Sequence, residues 1–324
     1  MRIAVLGAGG VGGFLGAMLA RAGHDVTLLA RGPHLDAIRA GGLTLESRQF
    51  GSFNVRVAAT DDPGELRRSD LVVITVKMYD FESAARAAVA ALADDGYALT
   101  VQNGLDAPEM LAALVGQERT LAGTIAIEAA IAAPGTIAHT TPMHMLVIAQ
   151  FGGKPRTQLV HLESALSQAQ INVQRSENSR QALWDKACML IPFASLTAAG
   201  DCTLAEFHGI PALKDVWDIL CDEAIAVANA DGYDVRPALG TMRSRLAGMV
   251  STAPGFTSSM NRDIRSGRRS ELEWLTGKLL RLAAEKGVAV PAHAALYGLL
   301  KLKEQRSTRP AGGETRERAT AGSS

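Results

Sequence analysis

The chain has 324 residues, enough for two domains with cores of their own; 47% of them are hydrophobic and 20% charged, an ordinary balance for a globular enzyme. Lys+Arg and Asp+Glu total 33 each, so no net field draws the chain to nucleic acid or a membrane surface, and an aromatic content of 5% argues against stacking on bases. Cys188, Cys202 and Cys221 match neither a zinc spacing nor a CxxC pair, and their odd number argues against a disulfide framework, so a reduced cytoplasmic compartment is expected.

The first element is an apolar run of strand length, residues 3–6, that meets Gly7-Ala-Gly9-Gly10-Val-Gly12 and then a helix over residues 12–22. A G-x-G-x-x-G turn between strand and helix is a dinucleotide-binding signature. Gly7 permits the tight turn, Gly9 lets a pyrophosphate approach the backbone, and Gly12 lets the helix pack close on the strand. The free N–H groups and positive end of the helix then hold phosphate. Residues 3–20 carry no charge and follow Arg2, which imitates a secretory signal, but six glycines between positions 7 and 16 would make a poor hydrophobic helix.

Further strands are expected at 26–29, 71–76 and 98–101, with helices at 81–92 and 107–114. Strands alternating with helices imply a doubly wound parallel sheet, and short β-branched runs suit strands buried on both faces. Residues 42–46 and 53–58 read as an added antiparallel pair, and 121–149 as more strands around a Pro134-Gly135 turn. Met143-His144-Met145 has the look of a copper site, but alternation within an apolar strand is the preferred reading.

The polar stretch 177–180 marks a junction, after which the pattern is helical: 181–199, 213–230 and 270–286, the last stopped by Gly287. Residues 308–324 hold almost nothing apolar and are expected to be disordered. The expected organisation is 1–178, 179–307 and the tail.

Four motifs occur in order: Gly7-x-Gly9-x-x-Gly12; Gln102-Asn103-Gly104; Leu183-Trp184-x-Lys186; and Ser258-Ser259-Met260-x-x-Asp263-Ile-x-x-Gly267-x-x-x-Glu271-x-Glu273. Together they resemble the ketopantoate reductase family over about residues 1–305. The resemblance implies an α/β architecture, an N-terminal Rossmann doubly wound parallel sheet that binds NADP, followed by a mainly α-helical domain. It implies reduction of a small 2-oxo acid, ketopantoate, to pantoate.

Lys186 then matches the family's catalytic lysine, the proton donor to the carbonyl oxygen; lysine suits that role because its pKa moves readily on burial. Glu271 matches the essential glutamate, with a catalytic role and a cofactor contact. Ser259 matches the serine that holds the substrate carboxylate, and Asn103 an asparagine that contacts cofactor and substrate at a strand's C-terminal edge. Each has a plainer reading: a snorkelling lysine, a helix-start carboxylate, a cap serine, an Asn-Gly turn.

Gly7, Gly9, Gly10 and Gly12 are the expected pyrophosphate contacts. The second strand ends Leu28-Leu29-Ala30-Arg31 with no acid at its tip, and an arginine there accommodates a 2′-phosphate. Arg31 matches the family's NADP arginine and Lys77 a second phosphate contact, so NADP is expected over NAD.

Three positions depart from the family. Leu190 and Ala194 stand where it carries asparagines four and eight residues after the lysine, and Phe256 replaces another. Pro192 is expected to interrupt the lysine's helix. The departures leave open a D-2-hydroxyacid dehydrogenase for branched or aromatic 2-oxo acids. A non-catalytic NADP-binding sensor is the alternative of another class, and retention of Lys186 and Glu271 argues against it. A small-molecule substrate is expected, without nucleic acid or membrane, and a homodimer is left open.

Overall fold

The structure is a computed structural model that describes residues 1–152 and 157–307. The expected disordered tail, 308–324, lies outside the described residues. The described residues form two compact units, one of Met1–Cys188 with Gly232–Ala238, the other of Met189–Asp231 with the described residues from Leu239 to Ser307. The junction expected at 178/179 falls ten residues before that division.

The first unit is built on one sheet. β1 (Arg2–Leu6) pairs in parallel with β2 (Asp25–Leu29) on one side and β6 (Ser69–Ile74) on the other. α1 (Gly10–Arg21) and α2 (Gly32–Gly41) flank β2, the hairpin β3 (Leu43–Ser47) and β4 (Gly51–Val55) follows, and β5 (Ala58–Thr60) adds to β2. α3 (Phe81–Ala91), β7 (Leu92–Thr100), α4 (Ala107–Val115) and β8 (Thr120–Ala133) continue the parallel run. β9 (Thr136–Gln150) turns back antiparallel on β8 at Pro134-Gly135, and α5 (Thr157–Gln168) leads to β10 (Asn172–Ser176), which pairs with β9.

The strand order is β4-β3-β9-β8-β7-β6-β1-β2-β5. The chain leaves β1 towards β2 on one side and towards β6 on the other, so the carboxyl ends of β1 and β6 form the crevice where doubly wound sheets take ligands. Ile3, Ala4, Val5 and Leu6 are at most 1% exposed, as a central strand covered on both faces requires. The expected strand at 71–76 ends at Ile74, with Thr75 N making a last bond to Leu6 O at 3.0 Å.

The second unit is helical. α6 (Ser179–Gly200) runs through the unit division, and α7 (Leu204–Gly209), α8 (Pro211–Ala230), α9 (Arg236–Thr252), α10 (Ser259–Arg265), α11 (Thr276–Lys286) and α12 (Pro291–Ser307) follow. α8 packs on α7, α11 and α12, burying Trp217, Leu220, Cys221, Ala224, Val227 and Ala228 on one helical stripe.

Two sequence expectations are corrected here. Pro192 does not interrupt α6, which is helical throughout residues 179–200. A proline removes one hydrogen bond, and the burial of Ile191, Phe193 and Ala194 around it holds the helix together. The helix expected from residue 270 begins only at Thr276, since Ser270 turns its N–H and hydroxyl to Glu304 (2.9 and 2.7 Å) and Leu275 leaves helical geometry at φ −104°, ψ −93°. Gly287 ends α11 in the left-handed conformation at φ +68°, as expected. Among the described residues no helix is long and apolar enough to cross a membrane.

Candidate functional site

In the first unit the G-x-G-x-x-G turn follows β1. Gly7 has φ +105°, and a Cβ there would lie 2.8 Å from Val76 Cγ1. Gly7 N and Ala8 N both donate to Leu29 O at 3.1 Å, which ties the turn to the end of β2. Thr75 Oγ1 lies 3.1 Å from Leu6 O and 2.6 Å from Gly7 O, tying it to the end of β6. A Cβ on Gly12 would collide with Gly7 O and Thr75 Oγ1, and one on Gly10 with Ala129 O of β8. Gly9 differs: it is exposed, and nothing lies within 4 Å of the place its Cβ would occupy.

α1 begins there with no side chain capping it and no acidic residue in its first turn. Its first N–H groups have no acceptor within the helix. Open space at Gly9 and an uncapped helix start fit a pyrophosphate.

Arg31 starts α2 and is 76% exposed; its Nη2 lies 3.8 Å from Asp80 Oδ2. Lys77 is half-buried in the segment between β6 and α3. His34, in the first turn of α2, accepts from Gly135 N at 3.0 Å, and burial holds its pKa below the ordinary imidazole value, opposed by a hydrogen bond with Ala8.

At the carboxyl end of β7, Gln102 Nε2 donates to Ile74 O (2.7 Å) and Val76 O (3.1 Å), and Gly104 takes φ +105°. Asn103 lies between them, so the turn reading and the site reading are compatible. α6 is aimed at this point by its start: Asn178 Oδ1 accepts from Gln181 N (3.0 Å), and Arg180 Nη1 donates to Leu105 O (3.2 Å) and Glu109 Oε1 (3.1 Å). With Trp184 fully buried, Lys186 Nζ donates to Asn103 Oδ1 and to Ile125 O, each at 2.8 Å. The structure thus brings together two residues 83 positions apart. Beside them on α6, the Asp185 carboxyl is pushed above its ordinary value by burial, against the lowering effect of Gln181, whose Nε2 donates to it at 2.6 Å.

In the second unit Glu271 is 4% exposed and lies in the turn before α11. Ser259 is the first residue of α10, half-buried; the capping role belongs to Ser258, whose Oγ accepts from Asn261 N (3.1 Å) and lies 2.8 Å from Thr197 Oγ1. Phe256 stacks on Phe193 with ring centroids 5.6 Å apart, and its carbonyl accepts from Leu204 N at 2.7 Å. Ala194 is 1% exposed and Leu190 half-buried.

Sequence reasoning gave no site role to Thr75, Asn178 and Arg180, and quoted Gln102 only as part of the Gln102-Asn103-Gly104 motif; of the first three, Asn178 carried a signal, as a cap residue before a helix. His144 packs edge-on to Phe50 (5.2 Å), and among the described residues no group of three or more His, Cys, Asp or Glu could hold a metal.

Residues 3–153 match the family described as ketopantoate reductase PanE/ApbA, and residues 178–304 match its C-terminal domain. A PanE/ApbA family ketopantoate reductase from Ralstonia eutropha JMP134 is 33% identical with a TM-score of 0.85, covering 95% of this chain and 100% of that one. The 2-dehydropantoate 2-reductase of Halobacterium salinarum is 29% identical over 306 residues, 94% of this chain and 99% of that protein. A D-mandelate dehydrogenase solved with NADH and anilino(oxo)acetate superposes with a TM-score of 0.87 over 95% of this chain and 99% of its own, but at 21% identity the likeness is one of fold. Matched along nearly its whole length, the chain belongs to the ketopantoate reductase PanE/ApbA family of oxidoreductases.

Proposed function

We propose that the protein is an NADPH-dependent reductase of small 2-oxo acids, with ketopantoate as first substrate. The observation that carries the reading is the Lys186 ammonium held by Asn103 Oδ1 and Ile125 O at the carboxyl edge of the sheet, where this fold takes ligands. The glycine turn and the uncapped start of α1 bind the pyrophosphate, and Arg31 with Lys77 takes the 2′-phosphate. When bound, the nicotinamide supplies a hydride to the carbonyl carbon.

Lys186 donates a proton to the carbonyl oxygen as C=O becomes H–C–OH, is left as the amine, and regains its proton from solvent. Asn103 and the Ile125 carbonyl hold the ammonium in one place, so that the proton is already positioned when the oxygen becomes basic. For the second unit we infer the roles that the family resemblance carries: Glu271 as the second catalytic group, with a contact to the cofactor, and Ser259 as the donor to the substrate carboxylate.

A second reading keeps the chemistry and changes the substrate. Leu190, Ala194 and the Phe256 ring offer no hydrogen bond where the family carries asparagine. An unpaired buried hydroxyl costs roughly 1–3 kcal/mol, while alkyl surface gains about 0.8 kcal/mol per methylene. Branched or aromatic 2-oxo acids are favoured by that difference; the 2-dehydropantoate 2-reductases among the relatives favour ketopantoate. NADPH oxidation decides: a kcat/KM for ketopantoate at least about tenfold above those for 2-oxoisovalerate, 2-oxoisocaproate and phenylglyoxylate, the scale of one or two buried methylenes, establishes the first reading, and the reverse order the second. No turnover with any of them would leave the reductase reading without support.

A further inference from the structure

The segment between β6 and α3 contains an acidic residue that neither the dinucleotide turn nor the proposed proton-donor chemistry uses. Asp80 ends the 3-10 turn Met78–Asp80 and directly precedes α3, a place where aspartate commonly accepts from helix N–H groups. It makes no such bond. Its backbone is already helical (φ −104°, ψ 0°), so the turn runs on into α3 and the side chain is not drawn back over the helix start. Its carboxylate instead lies 3.8 Å from Arg31 Nη2.

Arg31 is fixed at its base, since its extended backbone (φ −140°, ψ 156°) starts α2, and its side chain has room to choose between partners. With the arginine 76% and the aspartate 44% exposed, a single contact at that distance is a weak ion pair, not a buried two-point brace. A brace would prepare the guanidinium for phosphate. An exposed one-point pair competes for it and leaves a negative charge beside the group that replaces it.

We propose that Asp80 is a specificity-determining residue that limits the preference for NADPH over NADH, by competing with the 2′-phosphate for Arg31. The proposal rests on the assignment of Arg31 to that phosphate. Because the 2′-phosphate is the only difference between the two cofactors, Asp80 acts on NADPH affinity and leaves NADH affinity alone.

Dissociation constants for both cofactors, from nicotinamide fluorescence without 2-oxo acid, test this on wild type, Asp80→Asn, Arg31→Ala and the double variant. Asp80→Asn should tighten NADPH about three- to tenfold and change NADH less than about twofold, the range of an exposed ion pair together with the relieved repulsion. The gain should shrink as salt rises, and shrink in the Arg31→Ala background. If Arg31→Ala is selective for NADPH but Asp80→Asn leaves the ratio unchanged, weakens NADPH, or acts equally in both backgrounds, Asp80 is no competitor and this proposal alone falls. If Arg31→Ala weakens NADH as much as NADPH, the phosphate assignment falls and takes the proposal with it.

Discussion

The two units fix their local geometry by different means. In the first, main-chain atoms do most of the shaping: Gly7 O closes on Gly12, Ala129 O closes on Gly10, Leu29 O gathers two N–H groups, and Ile125 O takes the Lys186 ammonium. In the second, side chains hold the helix starts. Ser258 caps α10, Thr203 and Glu206 form a reciprocal cap on α7, and Glu223 accepts from Ala292 N and His293 N at the start of α12. A site shaped by main chain tolerates no added volume, whereas one held by side chains is sensitive to their charge.

The largest effect expected is on turnover. Lys186→Met should fold, bind NADPH, and lose roughly a hundredfold or more in kcat, within the range of a lost proton donor. Single-turnover reduction, where chemistry limits the rate, measures it; near-normal turnover would remove Lys186 from that role.

The glycines sharpen the contrast directly. Gly12→Ala should destabilise the protein by about 1–3 kcal/mol, because the methyl meets a carbonyl oxygen that cannot move away. Gly9→Ala has open space around it and should leave stability unchanged or raise it by under about 1 kcal/mol, yet weaken NADPH binding. Urea denaturation without cofactor and titration with NADPH separate the two, and a Gly9→Ala variant with undiminished affinity would deny that the pyrophosphate passes over residue 9.

Much of the first unit was legible in the sequence, and the reason is geometric. Gly7 and Gly12 report backbone constraints that other residues do not satisfy, and β1 and β6 read as apolar runs because both faces are covered. Asn103 and Lys186 were found through resemblance; their spacing of 83 residues carries no periodic signal. The helical unit was read less well. α9 buries only Leu239 and Leu246 fully and α12 only His293 and Leu300, so neither shows an apolar stripe, and both were missed. The turn at 270–275 was read as helix because Leu272 and Leu275 are spaced as a helix would space them, while the residue that breaks it, Glu304, lies far along the chain.

The smallest effect belongs to the second unit. His293 is fully buried, with Nδ1 2.7 Å from Glu223 Oε2, and burial lowers its pKa below the ordinary value of 6.5, against the raising effect of Glu223. With the folded pKa depressed, the unfolded chain binds the proton more readily. The stability from neutral His293 is therefore complete above pH 6.5 and declines as pH falls below it. Melting temperatures between about pH 7.5 and 5.5 should fall more steeply for wild type than for His293→Asn, the two differing by about 2–4 °C at the acid end, the scale of a single-site effect in a protein of this size. Parallel slopes would mean that His293 does not titrate in this window.

Among the acceptors of the Lys186 ammonium, Asn103 Oδ1 belongs to a side chain and Ile125 O to the peptide. Replacing the side chain at position 125 leaves that carbonyl in place as long as β8 keeps its register. That part of the lysine's anchoring is therefore written in strand pairing and shielded from point mutation, whereas the part that Asn103 supplies is open to drift. A lineage changing substrates can remodel the side chains around the lysine and still keep its ammonium held by the Ile125 carbonyl.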